Sequence, residues 1–223
     1  MGRRGILLDH GEVLMNTLPL DEIVFTAEPH SYHWRGKRYE SVTGYIKDVL
    51  GDDFANVPQD KLAFCQGRGN AVHLAAALFV AGELDWSTVD PRIEGYVRAV
   101  ERFHAECKGP IVAWEQRLVC PAMGLAGTPD LIKFIRNKRA VIDYKTSQQG
   151  KPRMRLQTVG YAKLWNATFP KTPVYDRYGL RLQSDGFYKL IPHDDPDDEA
   201  AFQDILAEGQ ARERAARWKE KYA

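Results

Sequence analysis

Two short apolar segments separated by a polar turn limit how this chain can fold more than any other feature. Residues 125–136 and 139–146 are rich in Leu, Ile, Val and Phe, a composition that favours strands. Asn137 and Lys138 lie between the two segments and supply the turn. The sequence therefore predicts an antiparallel hairpin inside an α/β fold.

Charged side chains interrupt both strands of this predicted hairpin. Because side chains alternate along a strand, Asp143 and Lys145 are expected on one face of the second strand. On the first strand, Gly127 and Pro129 predict a bend that turns Asp130 towards Asp143. The pattern thus brings two carboxylates and one amine to the same place.

The apolar surroundings of Asp143 help to decide between two interpretations. An Asp-x-Lys pair on a strand is most often a solvated face. Here the carboxylate follows Val141 and Ile142, and a buried charge without a partner is costly. A divalent cation would remove that cost, since Mg²⁺ and Mn²⁺ prefer oxygen ligands. Such an ion also activates water, so the pattern favours a metal-dependent phosphodiesterase.

A helix predicted over residues 61–84 is almost entirely apolar around His73. The ordinary interpretation is a core histidine that is satisfied by a hydrogen bond. The alternative is a metal ligand, because imidazole binds Mn²⁺ well and Mg²⁺ acceptably. The small residues Gly69 and Ala71 would let this helix approach a sheet edge.

A second helix is predicted to begin near Pro152 and to end before Pro170. Arg153, Gln157 and Tyr161 recur at every fourth position and so form one stripe. Either the stripe is an ordinary surface face, or it offers a guanidinium, an amide and a phenol to phosphates or bases.

Aromatic and basic residues alternate near the N-terminus, in SYHWRGKRYESVT. A turn at Arg35-Gly36-Lys37 predicts a hairpin there. It would present a set of rings and cations: Tyr32, Trp34, Arg35, Lys37, Arg38 and Tyr39. Single strands are bound by ring stacking and by cations that follow the backbone. The alternative is an ordinary hairpin with solvated charges and one aromatic face packed inwards.

Five segments in a fixed order give the chain a family resemblance: GNAVH, the Glu of WEQRLV, GTPD, VIDYKT and QTVGY. This order resembles the RecB-type branch of the PD-(D/E)xK nucleases. It is similar to small phage exonucleases and to the mitochondrial genome maintenance exonucleases. The resemblance spans residues 69–161 and implies a restriction-endonuclease-like core, αβββαβ, with a mixed central sheet flanked by helices.

The resemblance also implies roles for residues of the core. His73, Asp130 and Asp143 match the metal ligands of the family, and the backbone carbonyl of Tyr144 is expected as a further ligand. One or two Mg²⁺ or Mn²⁺ ions are expected. Lys145 matches the lysine of the motif, which orients the attacking water.

Other matches concern the surroundings of the metal. Gln157 and Tyr161 match a QxxxY element that contacts substrate. Glu115 matches an acidic position on the first core strand, where a charged strand end without a role is an equal alternative. Ser41 and Thr43 match a Ser-Val-Thr step and are expected to contact substrate.

Length and composition limit the organisation of the chain. With 223 residues and 44% hydrophobic content, one sizeable core is expected. We expect residues 1–60 to form a β-rich extension that serves as a substrate channel. Residues 61–223 would form the nuclease core with a C-terminal helix, in one compact unit. An acidic run at 194–199 is interpreted as structural, since anions favour the start of a helix.

Three features bear on cofactors and location. The three cysteines lack the number and spacing for a cluster, so no iron-sulfur centre is expected. No signal peptide or membrane span is recognisable, which favours a cytoplasmic location in a bacterial or phage-infected cell. The net charge of +1 means that any attraction of DNA must be local.

These observations together predict a metal-dependent DNA exonuclease. It would act on single-stranded or end-resected DNA in phage or bacterial recombination, replication or repair. A single-strand annealing or single-strand-binding protein is a possible partner of such an enzyme. The alternatives are a structure-specific endonuclease and a catalytically silent protein for DNA binding or assembly.

Overall fold

The computed structural model describes residues 5–6, 22–27, 30–52, 55–147 and 152–222. Its strands are β1 (Gly5–Ile6), β2 (Val24–Thr26), β3 (Ser31–Trp34), β4 (Lys37–Ser41), β5 (Ile111–Trp114), β6 (Leu118–Cys120), β7 (Leu125–Gly127), β8 (Leu131–Ile135), β9 (Lys138–Lys145), β10 (Asp176–Leu182) and β11 (Tyr188–Pro192). Its α-helices are α1 (Val42–Leu50), α2 (Gln59–Ala81), α3 (Pro91–Glu106), α4 (Pro152–Thr168) and α5 (Asp197–Tyr222).

A six-stranded mixed sheet forms the centre of the molecule, in the order β1-β5-β8-β9-β10-β11. All its neighbouring strands are antiparallel except β9 and β10, which run parallel and are connected through α4. A parallel pair requires such a crossover. The predicted α/β class with a mixed central sheet flanked by helices is confirmed, and α4 ends at Thr168 as the proline pattern indicates.

A second, smaller sheet has the order β2-β3-β4-β7-β6. The hairpin of β3 and β4 turns at Arg35 and Gly36, which both have positive φ, 49° and 75°. Two such residues are typical of the tight turns that match strand twist. The β-rich character predicted for the N-terminal region is present in the described part, while residues 7–21 lie outside it.

The predicted strand over residues 125–136 is wrong as a single element, because the chain changes sheets within it. β7 pairs with β4 and β6 in the smaller sheet, whereas β8 pairs with β5 and β9 in the central sheet. Thr128 to Asp130 form the connection. Pro129 has no N–H to donate to a ladder, which favours a break at this point.

The turn of the central hairpin lies one residue earlier than predicted. Ile135 pairs with Lys138, and the turn residues are Arg136 and Asn137, with φ values of 47° and 65°. Asparagine tolerates the left-handed region better than most residues. The shift leaves the face of each β9 side chain unchanged.

Two hydrophobic clusters cover the faces of the central sheet, and β9 contributes to both. Val141 packs in one cluster with α1, α4 and α5. Ile142 and Tyr144 pack in the other, with α2 and α3. This alternation places Asp143 and Lys145 on the same face of β9 as Val141, as predicted, and α4 packs on that face.

Helix α1 joins the N-terminal region to the core. Its residues Val42, Tyr45 and Ile46 are buried in the same cluster as Val159 and Phe202, from α4 and α5. The division of the chain at residue 60 stays a prediction. Within the part of the chain that the structure describes, no helix is both long enough and apolar enough to span a bilayer.

Candidate active site

A cavity of about 630 Å³ opens where α2 meets the carboxyl end of β9 and the connection from β7 to β8. Five side chains predicted for the site line it: His73, Glu115, Asp130, Asp143 and Lys145. They come from α2, from the end of β5, from the connection before β8 and from β9. Residues far apart in sequence thus converge on one concave surface.

Asp130 is held from two sides. Its Oδ1 lies 3.1 Å from Nδ1 of His73, and its Oδ2 accepts a hydrogen bond of 2.6 Å from the backbone N–H of Tyr144. The second contact continues the register of β8 and β9, in which Leu131 pairs with Ile142. Adjacent strands therefore place Asp130 next to Asp143, as the sequence indicates.

Asp143 is almost completely buried, with 1% of its surface exposed. Its Oδ2 forms an ion pair with the ammonium of Lys145. Its Oδ1 receives no hydrogen bond from any described residue. A buried carboxylate oxygen without a donor is costly, and such an atom marks a position for a water molecule or an ion.

Burial and neighbouring charges set the protonation of this group of residues. Burial raises the pKa of Asp143 to about 6, although Lys145 partly opposes the rise. Burial also acts to raise the pKa of Asp130, but the charges of His73 and Lys145 hold it below its ordinary value. Burial would lower the pKa of His73, but Asp130 outweighs this effect and raises it to about 9. Without a bound cation, His73 is therefore the positive partner of Asp130.

The donor atoms present fit a divalent cation. One ligand atom from each of His73, Glu115 and Asp130 lies within 4.8 Å of the others. This set differs from the predicted one, because Glu115 joins it whereas Asp143 pairs with Lys145 at its side. The unsatisfied Oδ1 of Asp143 gives a further oxygen in the same cavity. Carboxylates with one imidazole suit Mn²⁺ and Mg²⁺.

The backbone at Glu115 has a positive φ of 46°, directly after the last residue of β5. Its N–H donates to the carbonyl of Asp130 at 3.1 Å. A positive φ is uncommon outside glycine and costs energy unless the surroundings hold it. The residue is thus held in a strained conformation in which its side chain lines the cavity.

Helix α4 contributes Gln157 and Tyr161 to the cavity, and their contact with substrate stays a prediction. The amide of Gln157 donates to the hydroxyl of Tyr161 at 2.8 Å, which fixes both side chains. Gly127 makes room for this pair, since a Cβ there would lie 2.9 Å from Cε1 of Tyr161. The sequence suggested a bend at Gly127 but not this packing contact.

Arg153 does not line the cavity, and its predicted substrate role stays a prediction. Its guanidinium donates to the carbonyls of Leu50 and Gly51 at 2.7 and 2.6 Å. These carbonyls lie at the C-terminus of α1, where cations are favourable. The stripe of three residues therefore divides, with Gln157 and Tyr161 at the site and Arg153 at the end of another helix.

Ser41 and Thr43 both line the cavity. The hydroxyl of Ser41 accepts a hydrogen bond from the N–H of Gly44 at 2.9 Å and caps α1. Thr43 lies 3.2 Å from the same hydroxyl. The contacts of Ser41 are thus structural in the first place, and a role of either residue towards substrate stays a prediction.

Four residues predicted to contact a single strand lie outside the cavity: Trp34, Arg35, Lys37 and Tyr39. Tyr39 is only 5% exposed, so it cannot stack on a base in this conformation. It pairs across the hairpin with Tyr32, and paired residues of neighbouring strands share a face, here the buried one. Arg35 lies over the ring of Trp34 at 4.6 Å.

Sequence reasoning missed several residues that line the cavity. They are Phe25, His30, Trp114, Arg117 and Thr128. Thr128 lies within the GTPD segment, and Trp114 directly precedes Glu115, so their positions could have indicated them. Phe25, His30 and Arg117 reach the cavity through the pairing of β2 with β3 and of β6 with β7, which no local pattern reveals.

Comparisons with known proteins bear on what this cavity does. The sequence profile of the PD-(D/E)XK nuclease superfamily matches residues 85–223, more than half of the chain. A comparison with curated proteins finds none that matches. The solved structure "Crystal Structure of LHK-Exo in complex with dAMP" is similar, with 17% identity, 83% of this chain and 95% of that chain covered, and a TM-score of 0.35. By its profile match, the chain belongs to the PD-(D/E)XK nuclease superfamily.

Proposed function

We propose that this protein is a metal-dependent DNA exonuclease that removes nucleotides from single-stranded ends. The observation that carries the proposal is the convergence of His73, Glu115, Asp130, Asp143 and Lys145 on one concave surface. Membership of a nuclease superfamily supplies the reaction class, hydrolysis of a phosphodiester. The geometry supports a single reaction centre within this cavity.

The residues divide into two roles. Glu115, Asp130 and His73 would hold a divalent ion, and Asp143 offers a further oxygen beside them. When bound, such an ion lowers the pKa of a water molecule and offsets phosphate charge. Lys145 is paired with Asp143, so its ammonium is fixed where it can orient the attacking water and stabilise developing negative charge.

The size of the cavity favours a strand end over a continuous duplex. At about 630 Å³ it lies in the range of ~300–1,000 Å³ typical of pockets for small ligands. Such a volume accepts one or two nucleotides, which suits a terminal nucleotide that enters from the open side.

Manganese and magnesium are both compatible with the proposal. The two carboxylates suit either ion, and the imidazole of His73 shifts the preference towards Mn²⁺. Residues 1–60 would help to guide the strand, and β2, β3 and α1 supply part of the cavity wall. An enzyme of this kind would serve recombination, replication or repair of DNA in a bacterial or phage-infected cell.

Cleavage of end-labelled DNA tests the proposal. Linear single strands labelled separately at each end would be incubated with the wild type, Lys145→Ala and Lys138→Ala, with Mg²⁺, Mn²⁺ or a chelator. Lys138 is the matched control, since it lies at the other end of β9 and is exposed. We expect the Lys145 variant to lose about 100-fold or more of the rate. The control variant should retain its rate.

Circular single strands separate the proposal from its rival. An exonuclease leaves circles intact, whereas an endonuclease of the same superfamily would open them. Turnover by the wild type in the presence of chelator, or full activity of Lys145→Ala, would contradict the assigned chemistry. Absence of cleavage by the wild type with either ion would favour a silent DNA-binding protein.

A further inference from the structure

Three aromatic rings form one wall of the cavity, on the side of the smaller sheet. Phe25 lies 4.9 Å from both His30 and Tyr32 between ring centroids, and His30 lies 5.9 Å from Tyr32. The two contacts of His30 are edge-to-face, at 77°. All three rings line the same cavity as the acidic cluster.

The wall is fixed to the reaction centre through Tyr32. This ring is buried, and its hydroxyl makes a hydrogen bond of 3.0 Å with the hydroxyl of Thr128. Thr128 precedes Asp130 by two residues in the connection from β7 to β8. The rings and the carboxylates therefore line one cavity and are joined through this short segment.

Exposure separates Phe25 and His30 from the ring behind them. Tyr32 belongs to the buried cluster of the smaller sheet, whereas Phe25 is half-buried and His30 is exposed. Partial burial lowers the pKa of His30 from its ordinary value. The wall thus presents two aromatic rings, of Phe25 and His30, that Tyr32 supports from behind.

A cation completes the wall. The guanidinium of Arg117 donates to the carbonyl of Ile23 at 2.9 Å and lies 5.7 Å from the centre of the Phe25 ring. This contact fixes the arginine next to the rings, in the same cavity. Rings beside a fixed cation are the combination by which proteins bind single strands, since bases stack and phosphates pair with the cation.

We propose that Phe25 and His30 form a stacking subsite for the nucleobase next to the scissile phosphate, with Arg117 on the adjoining phosphate. The inference deepens the proposed function and rests on it. The subsite is indifferent to base identity, because every base has an aromatic face. It holds the terminal nucleotide while its phosphate lies at the acidic cluster.

Binding of single strands with one missing base tests the subsite. A fluorescent oligothymidylate, and a series in which one abasic residue replaces each thymidine in turn, would be titrated in chelator with the wild type, Phe25→Leu and Phe187→Leu. Leucine retains apolar packing but removes the aromatic face. Phe187 is the matched control, because it is an exposed phenylalanine outside this cavity.

For the wild type, we expect one abasic position near the end to weaken binding about tenfold, the size expected of one stacked base. Phe25→Leu should bind the intact strand about tenfold more weakly and should be insensitive to the base at that position. Phe187→Leu should behave as the wild type. Equal sensitivity of all three proteins to the abasic position would overturn the subsite.

The two proposals fail in different ways. If the wild type cleaves linear strands and Phe25→Leu retains the dependence on the terminal base, the subsite is wrong and the exonuclease assignment stands. If the wild type binds strands with the expected abasic pattern but never cleaves, the chemistry is wrong and the subsite stands. Thermal unfolding of Phe25→Leu confirms that the variant is folded.

Discussion

Two buried carboxylates in this molecule have opposite surroundings. Asp198, at the start of α5, is 8% exposed and accepts from Arg155 at 2.9 Å and from Arg177 at 3.3 Å. Asp143 is 1% exposed, pairs with one lysine and has an oxygen without a donor. The first is satisfied by the protein itself, and the second is satisfied in full only by something that binds.

The difference shows how burial serves two purposes in one fold. Around Asp198, two guanidiniums compensate the charge and connect α4, β10 and α5. Around Asp143, Asp130 adds a second negative charge to the same cavity. Removing the carboxylate should therefore destabilise the protein at Asp198 and remove activity at Asp143.

The largest effect is expected from Asp198→Asn. The substitution leaves the buried guanidinium of Arg177 without its anion, whereas Arg155 retains Asp195. Breaking a buried pair costs ~3–5 kcal/mol. Urea unfolding measures the loss in the free energy of unfolding. The rate of DNA cleavage, measured well below the melting temperature, should stay close to that of the wild type. An unchanged free energy of unfolding would mean that this network does not connect α5 to the core.

Asp143→Asn should have the reverse profile. We expect cleavage to fall by about 100-fold or more, which corresponds to ~2.7 kcal/mol in the transition state. The free energy of unfolding at pH 8 should change little, because two effects oppose each other. The variant loses the ion pair with Lys145, which Asp130 still faces, but it also loses a buried charge whose pKa burial raises to about 6. Single-turnover kinetics measure the cleavage rate, and urea unfolding measures the free energy of unfolding. A large loss of stability would remove the contrast with Asp198.

A smaller effect concerns His193, which lies beside the Asp198 network. Thr158 donates to the carbonyl of Arg155, so Nδ1–H of His193 donates to the Thr158 hydroxyl at 2.9 Å. Burial, together with Arg155 and Arg177, lowers the pKa of His193 to about 4. The unfolded state therefore binds this proton more readily than the folded state does. The free energy of unfolding should fall as the pH falls from about 6.5 to about 4.

The measurement for His193 compares the wild type with His193→Asn across this pH range. Asparagine retains a donor near the Nδ1 position but does not titrate. We expect the wild type to lose ~2 kcal/mol more than the variant between pH 7 and pH 4. If the free energy of unfolding depends on pH equally in the wild type and the variant, protonation of His193 does not destabilise the folded protein.

The smallest expected effect comes from adding an ion. Mn²⁺ at ten times its dissociation constant should stabilise the wild type by ~1.4 kcal/mol, because it binds the folded state. Glu115→Gln should lose this gain. Glu101→Gln changes a half-buried glutamate of α3 outside the cavity and should retain it. Thermal unfolding with and without Mn²⁺ measures the stabilisation of each variant. An equal gain in the two variants would exclude Glu115 as a ligand.

Local patterns in the sequence predicted the centre of the site because the decisive geometry there is local. Alternation along β9 and the adjacent register of β8 bring Asp130 to Asp143, and both facts follow from strands joined by a tight turn. The superfamily is confirmed by its profile. The helix around His73 was also expected, and it reaches Asp130.

Features that depend on distant partners were not predictable in the same way. Tyr39 is buried because β4 pairs with β7, which lies more than eighty residues further along the chain. Arg153 contacts the end of α1, whose position is set by packing against α4 and α5. Phe25 and Arg117 meet although β2 and β6 lie at opposite edges of the smaller sheet, so their contact depends on the curvature of the whole sheet.

The passage of the chain from one sheet to the other at Thr128 to Asp130 has a mechanical consequence. Because the residue that anchors the acidic cluster is part of the joint between the sheets, any motion that separates them also pulls the cluster apart. The enzyme cannot loosen this joint and keep its reaction centre assembled. Substitutions deep in the smaller sheet should therefore act at a distance, slowing the reaction before they unfold the protein.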